Sequence, residues 1–477
     1  MAEYDYDLTI IGGGSAGLTA AKVGRFFTQK RIALLDKERL GGDCLHYGCV
    51  PSKALIKSAR VAHDLATAAR FGLRPSPPET ALAAVNGTVQ EAIAQAGSLD
   101  SVEVLRESGV DVFLGTDGNG GCFEDPHTLR SGNRLLSTRS VLIATGSRPA
   151  IPNVAGLVAA GYLTNEDLFD LQNLPRRLAV IGGGPIGCEL AQALRRLGAE
   201  VTVLQQGPRL LPRDDAEVVA ILGLAFEQEG VDVRFDTRLE SVRVDGGDKV
   251  LTLAGARGGE LCVDEILVAT GRSPNVQGLQ LDAAGVRYSA RGIDVNDRLQ
   301  TSQEHIYAAG DVVGGMQFSH YAGYQAAQAV RNIFLPIRLK FRPRLVPWVT
   351  FTDPEIALVG LTEAEAKKAG RACTIVRFPY TAVERAVTDR DTAGMMKFLI
   401  DGKRRFIGCH VAGTNAGELV NELTLAMNNK LSVDDVIGSI HAYPTYSFGI
   451  PIALYEYVLD EHPQAVAKFG RFLSRLT

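Results

Sequence analysis

An α/β fold with two nucleotide-binding βαβ units, followed by a separate α+β region, is the architecture that this 477-residue sequence predicts. Three observations predict it. The first is a repeat: Leu8-Thr9-Ile10-Ile11 runs into Gly12-Gly13-Gly14-Ser15-Ala16-Gly17, and Leu178-Ala179-Val180-Ile181 runs into Gly182-Gly183-Gly184-Pro185-Ile186-Gly187. Each is a short β-rich run, then G-x-G-x-x-G, then an Ala/Leu-rich helical pattern, which is the order of a Rossmann-like dinucleotide unit. The second is another duplicated element, in which Ala144-Thr145-Gly146-Ser147-Arg148-Pro149 returns as Ala269-Thr270-Gly271-Arg272-Ser273-Pro274. The third is a change of punctuation from Arg342 onward, where strand-like runs such as 396–400 mix with helical ones such as 416–429.

In the first unit Gly12, Gly14 and Gly17 let the backbone approach a pyrophosphate where Ser15 and Ala16 open a helix. Asp36, followed by Lys37 at the end of the run 32–35, lies at the offset for holding a ribose hydroxyl. The second unit offers Gly182, Gly184 and Gly187, but Gln205 stands where an acid would bind the ribose of NADH and repel a 2′-phosphate. A neutral amide tolerates either nicotinamide cofactor. Arg209 is a candidate partner for the extra phosphate, while Gly187 rather than Ala leans toward NADH.

Between these units lies Cys44-Leu45-His46-Tyr47-Gly48-Cys49, preceded by Gly41-Gly42-Asp43 and followed by Val50-Pro51-Ser52-Lys53. On a regular helix residues five apart are separated by roughly 7.5 Å of rise and point to different faces, beyond the reach of an unstrained disulfide. For the sulfurs to meet, the backbone must unwind, and the flanking glycines permit it. Pro51 is then expected to open a helix at its first position, turning a positive dipole end toward Cys49 and lowering its pKa. The pattern predicts a redox dithiol rather than a structural staple. Cys122, Cys188, Cys262, Cys373 and Cys409 stand alone and read as buried thiols.

Composition narrows the function classes. A formal charge of -4 and a pI of about 6.1 provide no global positive field for nucleic acid or an anionic membrane. The opening residues 1–7 are acidic rather than a basic, apolar leader, and no apolar run is long enough to span a bilayer. Few, scattered cysteines argue against a disulfide framework, so a cytoplasmic protein with small-molecule or protein partners is expected. No metal site is expected.

With these pieces in place, the whole chain resembles the FAD-containing pyridine nucleotide-disulfide oxidoreductases, the family of lipoamide dehydrogenase, glutathione reductase and mercuric reductase. The resemblance rests on Gly41 through Lys53, on the paired nucleotide motifs, on Tyr307-Ala308-Ala309-Gly310-Asp311, and on the stretch FTDPEIALVGLT from Phe351 to Thr362. It implies FAD on the first motif, with Gly42, Asp43, Thr145, Gly146 and Asp311 around it and Asp311 accepting from the ribityl chain. NAD(P)H is implied on the second motif, with Gly271 and Arg272 beside it. Cys49 is implied as the flavin-proximal thiol and Cys44 as the thiol that attacks substrate. Lys53 and Glu189 match the family's ion pair beside the flavin. A helix starting near Gln317-Phe318-Ser319-His320 is expected to aim its N-terminus at the flavin pyrimidine. The implied domains are 1–149 with 274–342 for FAD, 150–273 for NAD(P)H, and 343–477 for an obligatory, two-fold homodimer interface.

One segment departs from the family pattern. Thiol-active members carry a His-Pro-Thr segment with a Glu five residues after the His, supplied by the other subunit as a general base. Here Tyr443 precedes Pro444 and Phe448 takes the place of the Glu. A phenol, with an unperturbed pKa of about 10, is a poor base at neutral pH, by roughly two to four orders of magnitude. Mercuric reductases place a Tyr at this position, although they also end in a vicinal cysteine pair, whereas this chain ends Arg471-Phe472-Leu473-Ser474-Arg475-Leu476-Thr477. His46 and His441 are the candidate replacement bases, and a cis bond is expected before Pro444. The expected activity is NAD(P)H-driven reduction of an acceptor needing little base catalysis: a thiol-bound metal such as Hg(II), a quinone or a reactive disulfide. The alternatives are a lipoamide dehydrogenase-like enzyme for a specialised lipoyl carrier protein, and a flavoprotein scaffold or sensor without turnover.

Overall fold

A computed structural model describes residues 4–461 apart from 28, 78, 116–119 and 343–344. The run 471–477 that the sequence analysis singled out lies outside the described residues. Leu8–Ile11 is buried along its whole length and forms the middle strand of a five-stranded parallel sheet. Ile32–Asp36 and then Val110–Leu114 lie to one side of it, Val141–Ile143 and then Ile306–Ala308 to the other. Arg177–Ile181 holds the same place in a four-stranded parallel sheet, with Glu200–Leu204 on one side and Glu265–Val268 on the other. In each sheet the order of strands therefore reverses at the strand that feeds the glycine motif. Ligands of open α/β sheets bind at such a point, outside the carboxyl ends of the strands.

The duplication extends to atomic detail. A Cβ on Gly17 would sit 1.8 Å from the Gly12 carbonyl oxygen, and one on Gly187 would sit 1.9 Å from that of Gly182. The third glycine of each motif is thus fixed by close helix–strand packing. The helices that follow, Ser15–Phe27 and Pro185–Arg196, start at the motif in both units.

The C-terminal region is a five-stranded antiparallel sheet ordered Trp348–Thr350, Glu355–Gly360, Phe406–Gly413, Met395–Ile400, Thr374–Pro379. Phe406–Gly413 is buried at every position: helices Ala416–Asn428 and Gly449–Glu461 share an apolar core with one side of this sheet, and Lys397, beside His410 in the sheet, reaches Asp215 of the second nucleotide unit. The α/β class and the α+β region beyond 342 are both as the sequence predicts. Of the solitary cysteines, Cys188 and Cys409 are buried as expected, Cys122 and Cys373 are half-buried, and Cys262 is exposed. The last is a correction: Cys262 lies on Gly259–Val263, the edge strand of a three-stranded antiparallel sheet.

Lys397 of this C-terminal sheet is buried to 1% side-chain exposure. Its ammonium meets Asp215 at 2.9 Å, Glu217 at 2.9 Å and Glu363 at 2.7 Å. Asp215 caps helix Ala216–Glu229 of the second nucleotide unit, so this cluster ties that unit to the C-terminal sheet. Lys397→Met removes one sign of charge and leaves Asp215 buried and unpaired. A loss of about 3–5 kcal/mol in urea unfolding at neutral pH is expected.

Candidate functional site

Helix Gly42–His46 carries Cys44 and stops at Tyr47; a second helix, Cys49–Ala66, begins with Cys49. Gly48 makes the joint. A Cβ there would lie 2.9 Å from an Asp43 carboxylate oxygen and 3.3 Å from the Cys44 α-carbon. Pro51 is the third residue of the second helix, not its first as the sequence suggested. The ring is tolerated there because N–H groups in the first turn have no intrahelical partner to lose.

Cys44 and Cys49 are free thiols that hydrogen bond to each other. Cys49 donates, which holds Cys44 down to about 6, with help from the Ser319 and Ser15 hydroxyls and against burial. Cys49 is pushed up by that bond, by burial and by the Cys44 charge, against Ser319 and Lys53. The expectation of a lowered Cys49 is therefore corrected in direction: its thiol is pushed up by the neighbouring sulfur, and the two titrate as a pair that shares a proton.

Both thiols open into one cavity of about 1860 Å³ that runs from the first glycine motif to the second. Every candidate residue from the sequence lines it except Gly17 and Gly187, which are packed beneath their motifs, and Tyr443 and His441 of the C-terminal region. At Gly184 a Cβ would meet nothing within 4 Å, so the second motif turns open backbone to the cavity. This cradle, with two motif helices starting at it, fits dinucleotides of the FAD and NAD(P)H type. Asp36 accepts from the Gly13 N–H at 2.6 Å and from the Glu38 N–H at 3.0 Å. Each carboxylate oxygen retains a lone pair for a ribose hydroxyl. Gln205 repeats the first contact, accepting from the Gly183 N–H at 2.9 Å. Since a donor requires the amide oxygen there, the Gln205 NH₂ is the end left for a nucleotide. Arg209 also lines the cavity and donates from its two terminal nitrogens to the carbonyls of Pro212 and Asp214, at 2.6 and 2.7 Å.

Lys53 lies 2.8 Å from Glu189, whose residue is only 6% exposed. Sequence reasoning missed the third member, Phe351: its backbone N–H donates to Glu189 at 2.9 Å, and its ring lies under the Lys53 ammonium at 4.4 Å. Arg272 lines the cavity and is held there by protein contacts. It donates to the Ser147 hydroxyl at 2.7 Å and pairs with Asp43 at 2.9 Å, while Ser147 donates to Asp311 at 2.6 Å. Burial pushes the Asp311 carboxyl up. Thr145 donates to the Asn275 carbonyl at 2.8 Å.

Helix Ser319–Phe334 begins at Ser319, beside the expected Gln317, and no side chain caps it. Ser319 Oγ is 3.6 Å from Cys49 Sγ. His320 donates to the Pro347 carbonyl at 2.9 Å and stacks on Phe318.

Both candidate replacement bases are engaged by other partners. His46 Nε2 bonds the Leu40 carbonyl at 2.7 Å and its Nδ1 is buried without a partner, so burial pulls its pKa down. His441 faces the Ser439 carbonyl at 2.9 Å and the Glu422 carboxylate at 2.7 Å, so both of its nitrogens have partners. It fastens the 441–448 segment to helix Ala416–Asn428. Tyr443 is 65% exposed, and its ring meets that of Phe448 edge-on at 5.2 Å and 74°. The peptide bond before Pro444 is cis, as expected.

The chain matches the family described as pyridine nucleotide-disulphide oxidoreductase over residues 6–326, and that family's dimerisation domain over residues 346–452. A mercuric reductase of Bacillus cereus is 34% identical over 460 residues, covering 96% of this chain and 72% of the relative. A dihydrolipoyl dehydrogenase of Thermus scotoductus is 36% identical over 458 residues, covering 93% and 96%. Among solved structures, the HOCl-induced flavoprotein disulfide reductase RclA from Escherichia coli superimposes with a TM-score of 0.84 at 26% identity, covering 94% of this chain and 99% of that one.

The shared proton has a direct consequence. Iodoacetamide should alkylate Cys44 of the reduced protein with a midpoint of about 6, against about 8.5 for an ordinary thiol. Cys49→Ala removes the donor, and the Cys44 midpoint should then move up, as read by mass spectrometry of the labelled peptide.

Proposed function

The chain belongs to the pyridine nucleotide-disulphide oxidoreductases, an FAD- and NAD(P)-dependent family of flavoprotein disulfide reductases, and from that premise we propose an NAD(P)H-driven reductase that works through Cys44 and Cys49 on an acceptor needing little base catalysis. A thiol-bound metal ion such as Hg(II), a quinone or a reactive disulfide meets that description. FAD, when bound, supplies a carrier that accepts two electrons as hydride and returns them to a sulfur pair.

The chain's own residues divide the remaining work. The first glycine motif with Asp36, and the second with Gln205, hold the two nucleotides at the two strand switch points. Residues 1–149 and 274–342 form the FAD domain, 150–273 the NAD(P)H domain, and 343–477 the interface. Lys53 places positive charge in the cavity, and Glu189 and Phe351 fix its direction while balancing that charge. Cys44 carries the thiolate that attacks, and Cys49 holds the shared proton. Asp311 orients a hydroxyl of the cofactor chain through the Ser147–Arg272–Asp43 array. The Gln205 amide, bearing no charge, admits NADH and NADPH alike.

The observation that carries this reading is the Tyr443–Phe448 contact. A general base needs an imidazole oriented by a carboxylate, and here two aromatic rings pack against each other instead. The exposed ring of Tyr443 is the surface that a two-fold partner would bring to Cys44, and the match to a dimerisation domain supports a homodimer. The close relation to dihydrolipoyl dehydrogenases sustains the second reading, a specialised lipoyl carrier protein as acceptor that supplies its own base.

NADH and NADPH oxidation by the FAD-loaded protein, measured in parallel with Hg(II), lipoamide and a quinone, tests the proposal. Turnover with the metal or the quinone well above that with lipoamide is expected, and the reverse order would favour the lipoyl reading. No turnover with any of them would favour the scaffold. Tyr443→His with Phe448→Glu should raise lipoamide turnover by about 100-fold or more; an unchanged rate counts against the base argument.

A further inference from the structure

Ser319 touches the redox thiols from outside their own helices, as Ser15 does, and it alone of the two is held from both sides by one distant segment. Its neighbour Phe318 stacks on Trp348 at 5.8 Å and 16°. Its other neighbour, His320, donates to the carbonyl of Pro347 and stacks on Phe318 at 5.5 Å and 14°. Trp348 is itself anchored, since its indole N–H donates to the Asp214 carboxylate at 2.9 Å. Asp214 is 3% exposed and lies in the turn whose carbonyls Arg209 clamps. An unbroken line of contacts thus runs from the second nucleotide unit to Cys49: Arg209, Asp214, Trp348, Phe318, Ser319, Cys49.

The same short segment also supports the Lys53 end of the site, because Phe351 holds Glu189 and lies under Lys53. Residues 347–351 are therefore a brace between the charge beside the cofactor and the hydroxyl beside the thiol. A stacked indole suits such a brace: it covers a large area with two rotatable bonds, and its one polar atom is satisfied.

We propose that Trp348, anchored by Asp214, is a positioning residue for the redox pair, acting through Phe318 to hold the Ser319 hydroxyl and the start of helix Ser319–Phe334 against Cys49. This rests on the reading of Cys44 and Cys49 as the redox pair. The hydroxyl and the helix N-terminus both favour negative charge on the sulfurs, so loosening them returns the pair toward ordinary thiols. Asp214→Asn keeps an acceptor for the indole and leaves the brace intact.

The test is the pH profile of Cys44 alkylation by iodoacetamide in the reduced, FAD-loaded protein. Trp348→Leu should move the midpoint up by about one pH unit, a tenfold loss of thiolate below it. Trp348→Phe restores the stack and should recover most of that shift, and Asp214→Asn should show almost none. Ser319→Ala should produce the same shift as Trp348→Leu, and the double variant no more than either alone, because the two act on one contact. A Trp348→Leu profile that superimposes on the parent, or shifts that add in the double variant, overturns the inference. Should Trp348→Leu fail to fold, Phe318→Leu breaks the line at its next link and is read the same way. A parent profile with an ordinary thiol midpoint would instead bring down the redox-pair reading, and this inference with it.

Discussion

Two sulfurs five positions apart meet only because the helix bearing Cys44 ends before Gly48 and a new one begins at Cys49. Continuous helix would carry them to different faces, and no chemistry of the pair would survive it. The joint uses a residue without a Cβ, and a third-position proline keeps the second helix from extending backward as a regular continuation of the first. Placing Cys49 at a helix start also turns the first turn's unpaired N–H groups toward the sulfurs. The remaining structure serves to bring charge, hydroxyl and nucleotide to this joint.

That service comes from long-range contacts. The two parallel sheets bring their glycine motifs to the rims of one cavity. Lys397 and its three carboxylates join the second unit to the C-terminal sheet, and Asp214, next to Asp215 of that cluster, reaches Trp348. The brace at 347–351 then meets both Lys53 and the helix starting at Ser319. An acid in the first unit and an amide in the second make the same bond to a motif N–H, so the duplication kept the architecture while the charge of the nucleotide site diverged.

The legible parts of the sequence were those whose signal is local. Glycine motifs, the C-x₄-C pair and the replacement of His and Glu at 443 and 448 can be read in a few consecutive residues, and the fold class follows from their repetition. Contacts between distant residues left no such trace. Trp348 and Asp214 are separated by 134 positions, and nothing in either neighbourhood announces the bond. Phe351 was visible inside a family stretch but carried no sign that its backbone would hold Glu189. His46 and His441 looked available because sequence gives the residue type and not the partners of its two nitrogens. The direction at Cys49 was misread for a related reason: a helix dipole acts on one thiol, whereas the dominant influence is the neighbouring sulfur.

The central claim, that electrons reach one reducible sulfur pair, is tested most directly by counting them. In an anaerobic reductive titration of the FAD-loaded protein, uptake of four electron equivalents per subunit is expected, two beyond what the flavin holds, with two new thiols that label at Cys44 and Cys49. Uptake of only two equivalents, with no new thiols, would contradict the account.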